Sequence, residues 1–196
     1  MHIVVEGNMC TGKTSLAKGL ARDLESIGCP VAYLKLLLSE KKKPEVDEAR
    51  MLGASDSEIT ALYLEDIYES NEIASEEIRA GKWVVMDRYI PSLLAYTHAK
   101  EPGGYNQLLQ SIDHSRILMP NVMFFLRAST ETKKARLGSK TDTSQFDLDN
   151  ILNSDLETFL IEESKIYNPV EILTDNLSLE EVRRFAERIL NIGGIQ

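Results

Sequence analysis

The sequence predicts an α/β domain of three layers, with a five-stranded parallel sheet, helices on both faces and a short lid. Three observations predict it. Short β-branched or apolar runs alternate with longer segments of helical period, glycines close the helical segments, and capping-box pairs open them. The expected strands are His2 to Glu6, Val31 to Leu36, Trp83 to Asp87, Val122 to Arg127 and Val170 to Thr174. Between the first two, Leu16, Leu20, Leu24 and Ile27 recur at helical spacing and Gly28 supplies the residue past a helix end, which completes one βαβ unit. Ser55 and Glu58 stand in capping-box spacing before a long segment that closes at Gly81. Ser178 and Glu181 repeat that spacing before Leu179 to Leu190. Pro102, Gly103 and Gly104 read as a loop, and Pro120 as the stop of a helix before the fourth strand. Gly138 to Asp147 is polar and rich in Ser, Thr and Asp, so it reads as a mobile lid over about residues 138–149.

At 196 residues the chain suits one domain, residues 1–196, with a sizeable core. A net charge of -9 argues against a nucleic-acid partner, which needs a broad basic face, but allows a small anionic ligand in a local positive pocket. Cys10 and Cys29 are too few for a disulfide framework and read as free thiols of a cytoplasmic protein. Met1 leads directly into a strand pattern rather than a basic and then apolar leader, and no apolar run reaches the roughly 20 residues of a membrane span. His2, His98 and His114 lack metal-ligand spacing. Tyr63, Tyr68, Phe124 and Phe125 read as core or helix-packing residues.

Gly7-Asn8-Met9-Cys10-Thr11-Gly12-Lys13-Thr14 fits G-x-x-x-x-G-K-T and stands after an apolar strand and before an amphipathic helix, followed by Ser15. Glycines let the backbone wrap around phosphate oxygens, successive N–H groups point inward, and the helix N-terminus adds partial positive charge. In that loop Lys13 is expected on the β/γ-phosphates of ATP and the Thr14 hydroxyl on Mg²⁺. A second candidate lies at the end of the third predicted strand, where Asp87 and Arg88 arrive together at the sheet edge that binds ligands in open α/β folds. Asp87 suits a metal or the acceptor, and Arg88 suits a phosphate whose charge it neutralises during transfer.

The run Asp87-Arg88-Tyr89-Ile90-Pro91-Ser92-Leu93-Leu94-Ala95-Tyr96 resembles the D-R-Y-x-x-S-x-x-A-Y signature of thymidylate kinases, and the order of elements along nearly the whole chain is similar to theirs. The resemblance implies a P-loop NTPase fold, ATP and magnesium as phosphoryl donor, a nucleoside monophosphate as acceptor, and a homodimer formed through the long helices. It implies that Asp87 sits near the metal, that Arg88 and Ser92 serve the acceptor, that Tyr96 lies against the sugar and disfavours a 2′-hydroxyl, and that Arg136 is the lid arginine, which with Lys140 would fold over the donor phosphates in a closure that excludes water.

Four features depart from that family. Met9 stands where the loop usually carries an acid, Lys35-Leu36-Leu37 replaces an arginine-glutamate-proline motif, Leu93 replaces a polar residue near the base, and Asp66 falls near the arginine that reads thymine. A carboxylate at Asp66 accepts hydrogen bonds and suits an exocyclic amine, or else belongs to a solvated acidic face with Glu65, Glu69 and Glu72. Lys35 and Arg88 together favour a phosphate acceptor, which needs no base, whereas Glu40 is the candidate base for a sugar hydroxyl. Glu6-Gly7-Asn8-Met9 also resembles the opening of the deoxynucleoside kinases, so a nucleoside acceptor is the first alternative. An ATP-binding protein without kinase activity is the second. No N-K-x-D or D-x-x-G motif supports a GTPase.

Overall fold

A computed structural model describes residues 1–37, 42–139 and 145–192, with 145–147 as backbone only. The five expected strands form as β1 (His2–Gly7), β2 (Val31–Lys35), β3 (Trp83–Asp87), β4 (Val122–Arg127) and β5 (Val170–Leu173). In the described residues all five pair in parallel, in the order β2-β3-β1-β4-β5. The chain visits β2 and β3 on one side of β1 and then crosses to β4 on the other. The crevice beyond the carboxyl end of β1 is therefore the topological switch point of the sheet.

Side chains alternate across a strand, and this decides which layer each residue of β1 serves. Ile3 and Val5 pack with Leu16, Leu20 and Leu24 of α1 (Lys13–Ser26) and with Val182 and Leu190 of α9 (Leu179–Leu190). Val4 faces the opposite layer, where Ile67 and Tyr68 of α3 (Asp56–Arg79) meet Met86 of β3 and Leu93 of α4 (Ile90–Lys100). Leu156 and Leu160 of α8 (Ser154–Ser164) extend that layer by packing on Ala95 and Phe125. Each of these leucines is removed from water, worth about 2 kcal/mol apiece, so the leucine stripe read in the sequence is what anchors α1. Both capping boxes form, Ser55 with Glu58 on α3 and Ser178 with Glu181 on α9.

Three sequence expectations are corrected. Pro102, Gly103 and Gly104 open a helix, α5 (Pro102–Ser111), rather than a loop. Proline suits a first helical turn, where its missing N–H has no partner to lose. Tyr105 on that turn stacks on His98 of α4 and donates to Glu163 of α8, so tertiary contacts hold a helix that local propensity disfavours. The helix ends at Ser111, and Pro120 stops nothing: a short 3₁₀ turn, His114–Arg116, lies between. α2 (Lys42–Met51) follows β2, while Glu40, the candidate base, lies outside the described residues. Of the expected lid, Gly138 ends α6 (Thr130–Gly138) and residues 145–149 belong to α7 (Gln145–Leu152). Lys140 lies outside the described residues. No helix among the described residues is long and apolar enough to cross a membrane.

His2 supplies a pH test of this core. It is 1% exposed, on the same side of β1 as Val4, with its ring edge-on to Tyr89 and Nε2 3.1 Å from the Met86 sulfur. Burial lowers its imidazole from 6.5 to about 4. The unfolded chain therefore takes up a proton below pH 6.5 that the folded chain refuses until about pH 4, and stability falls as pH drops through that window. Urea melts at pH 7 and 4.5 should show His2→Leu gaining about 2 kcal/mol on the wild type as pH falls. Parallel losses in both proteins would refute a buried neutral imidazole.

Candidate active site

The phosphate loop joins β1 to α1, and its backbone is bent where the sequence allows it. Gly7 has φ 137° and Gly12, the residue before α1, has φ 102°. Cys10 takes the left-handed conformation as well, with φ 59°, at a cost of about 1 to 2 kcal/mol for a residue with a Cβ. No side chain caps the start of α1, so the first N–H groups of that helix are left for a ligand. Asn8 organises the turn from beneath: its carbonyl accepts from Lys13 Nζ at 2.6 Å and from the Thr11 hydroxyl at 2.8 Å, and its side-chain oxygen accepts from the Met9 N–H. Burial, and then the neighbouring Arg88, bring the Lys13 ammonium from 10.5 down to about 7, against the pull of Asp87, Glu6 and Cys10. An anionic ligand would restore its charge.

Asp87 ends β3, paired in register with Val5 of β1 and Lys35 of β2. Its Oδ2 accepts from the Thr14 hydroxyl at 2.5 Å and from the Tyr33 hydroxyl at 3.3 Å. Its Oδ1 is buried without a hydrogen-bond partner. An orphaned carboxylate oxygen beside a threonine hydroxyl is a hard oxygen donor set of the kind Mg²⁺ uses. Arg88 follows with φ 76°, its N–H on the Val5 carbonyl at 3.0 Å, its Nη1 on Ser92 Oγ at 3.0 Å and its guanidinium over the Tyr96 ring at 5.7 Å. Arg136, in the last turn of α6, reaches across to the loop. It donates to the Thr174 carbonyl at 2.7 Å, to Thr174 Oγ1 at 3.0 Å and to the Cys10 carbonyl at 3.2 Å. Asp175 fixes the other end of α6 by accepting from the Ser129 N–H and the Thr132 hydroxyl, contacts that hold its carboxyl down at about 2.

These groups line one cleft of about 600 Å³ at the switch point. It brings together Met9 to Ser15, Lys35, Asp87, Arg88 and Arg136, so four cations and one carboxylate converge in a protein of net charge -9. Ser92, Tyr96 and Asp66 lie off this cleft. Ser92 is fully buried, accepting from Arg88 Nη1 and donating to Glu6 Oε2. Asp66 is not on a solvated face: it is 3% exposed and its Oδ2 accepts from the Leu37 N–H at 3.1 Å. That oxygen thus holds the chain after β2. Sequence reading missed Glu6, Tyr33 and Thr174. Glu6 had a signal, an acid inside an otherwise apolar strand, whereas Tyr33 and Thr174 look like ordinary strand residues until the sheet is assembled.

Residues 5–184 match the family described as Thymidylate kinase. The chain belongs to that family. A probable thymidylate kinase of Thermococcus kodakarensis is 30% identical over 162 residues, covering 75% of this chain and 76% of the relative. The thymidylate kinase of Campylobacter jejuni is 27% identical over 190 residues, covering 92% and 88%. A thymidylate kinase structure from Candida albicans shares the fold at a TM-score of 0.75 and 18% identity, over 98% of this chain and 91% of that one. This kinase is therefore a phosphotransferase that phosphorylates a nucleoside monophosphate at the expense of ATP. The nucleoside-kinase and non-catalytic alternatives are not favoured.

Proposed function

We propose that the kinase transfers the γ-phosphoryl group of ATP to a deoxynucleoside monophosphate in the cleft beyond β1 and β3, with thymidylate, the acceptor named for its relatives, as the first acceptor to test. The observation that carries this reading is the convergence of Lys13, Lys35, Arg88 and Arg136 around Asp87 in one cleft. A triphosphate and a monophosphate brought together carry several negative charges, and only a local excess of cations can hold both in reacting distance.

In this reading the loop N–H groups and Lys13 hold the β- and γ-phosphates, and Arg136 approaches the donor from the lid side. Arg88, with Lys35 beside it, holds the acceptor phosphate, whose ionised oxygen needs no general base. Tyr96, outside the cleft lining but 5.7 Å from the Arg88 guanidinium, would border the sugar of an acceptor that Arg88 holds. Thr14 and Asp87 would hold Mg²⁺, which when bound neutralises charge developing on the donor phosphates. Charge neutralisation and alignment are thus this chain's whole contribution.

ADP release measured over deoxynucleoside and ribonucleoside monophosphates, with nucleosides as controls, tests the substrate class. Arg88→Ala should raise the acceptor KM roughly tenfold to a hundredfold and leave the ATP KM within about twofold. An unchanged acceptor KM would remove Arg88 from the acceptor site.

A further inference from the structure

Glu6, which hydrogen-bonds at both the phosphate loop and the Arg88–Tyr89 turn, has no part in the reaction as described. It is wholly buried near the end of β1, on the same side of the strand as His2 and Val4, and Val4 belongs to the apolar layer of Met86, Tyr89 and Leu93. An ionisable group in such surroundings is expensive unless every lone pair is engaged, and simple filling of the core would call for an aliphatic side chain. Burial pushes its carboxyl above the ordinary range, against Arg88, the Gly7 N–H, Lys13 and the Tyr89 N–H.

Its contacts show where it acts. Oε1 accepts from the Tyr89 N–H at 2.6 Å, next to the left-handed backbone of Arg88. Oε2 accepts from the Ser92 hydroxyl at 3.0 Å, and Ser92 Oγ in turn accepts from Arg88 Nη1 at 3.0 Å. The same Oε2 accepts from the Gly7 N–H at 3.0 Å, at the entrance of the phosphate loop. One carboxylate thus grips Arg88 from both its backbone and its guanidinium, and ties that grip to the loop that holds the donor. An arginine with φ 76° persists only where its surroundings over-determine it.

We propose that Glu6 is a positioning residue that aims Arg88, through Ser92 and the Tyr89 amide, at the acceptor phosphate and sets its distance from the donor loop. The proposal rests on the reading of Arg88 as the acceptor clamp. It makes a chemical demand that distinguishes a carboxylate from its isostere. Glu6 faces three donors, and a carboxylate only accepts. A glutamine in either amide orientation turns its NH₂ toward the Tyr89 N–H or toward the Gly7 N–H, so Glu6→Gln breaks the hub without changing its volume.

Steady-state kinetics of Ser92→Ala and Glu6→Gln, each made alone and in an Arg88→Ala background, test it. Ser92→Ala should raise the acceptor KM about tenfold, with the ATP KM within about twofold, because the two hydrogen bonds that link Arg88 to Glu6 through the hydroxyl are lost. Glu6→Gln should raise the acceptor KM at least as much. Once Arg88 is alanine, neither change should shift the acceptor KM by more than about twofold, because partners in one chain of contacts are not additive. Equal penalties with and without Arg88 would overturn the proposal, since they would mark a general packing role. If Glu6→Gln does not fold, Ser92→Ala, which removes one hydroxyl, decides the matter: an unchanged acceptor KM sinks the proposal. Arg88→Ala alone separates the two readings. No effect there defeats the acceptor clamp itself, whereas a large effect there without one at Ser92 or Glu6 defeats only this inference.

Discussion

Gly7→Ala should abolish ATP binding and lower stability by roughly 3 to 5 kcal/mol. Gly7 is the last residue of β1 and pairs in register with Leu126 of β4. A Cβ built on it would stand 2.2 Å from the Leu126 carbonyl oxygen and 3.1 Å from its carbonyl carbon, both backbone atoms of the neighbouring strand. Neither can move without parting β1 from β4 where the phosphate loop begins, and the backbone at φ 137° is unsuited to a side chain in any case. Gly12→Ala is the control. It also has a positive φ, but its Cβ would meet only the Leu126 side chain, at 3.8 Å. Thermal melts and ATP titrations should rank Gly7→Ala as much the worse of the two. Equal effects would show that conformation alone, and not the approach of β4, dictates glycine at position 7.

Lys13→Ala should lower kcat by about a thousandfold while leaving the melting temperature unchanged or raised. The two effects have one cause. Burial brings the Lys13 ammonium down to about 7, so the folded protein holds this proton less tightly than the unfolded chain does, and the residue works against the fold at neutral pH. Triphosphate oxygens offer the charge partner that the free site lacks. Near pH 7 to 8 the wild type should therefore take up part of a proton as ATP binds, about half of one at pH 7, and Lys13→Ala should not. Calorimetry in buffers of differing ionisation enthalpy reads that uptake directly. A variant with full turnover, or one that loses activity only by unfolding, would contradict the assignment.

Most elements were legible because their signals are local. The leucine stripe of α1, the capping boxes of α3 and α9, and the apolar strand runs each lie within a few residues of one another, and all appear where expected. The misreadings share the opposite property. Pro102-Gly103-Gly104 has turn chemistry, but the stack of Tyr105 on His98 and the Glu163 contact come from other helices. Asp66 looks like one more acid on a solvated face until the chain leaving β2 lays the Leu37 N–H against it.

Within the site, the residues and their chemical types could be read from one dimension: a glycine-framed loop with Lys13 and Thr14, and an acid and a base at the end of β3. That much is local because a strand, a turn and a helix start are contiguous in the chain. The parallel order of the strands decided the rest. It set β1 between β3 and β4, laid Asp87 against Thr14, drew Arg136 across to Cys10 and Thr174, and buried Glu6 beneath Arg88. Hydrogen bonds between residues tens of positions apart leave no periodic trace in a sequence, and only the packing of strands and helices determines which distant donors and acceptors meet.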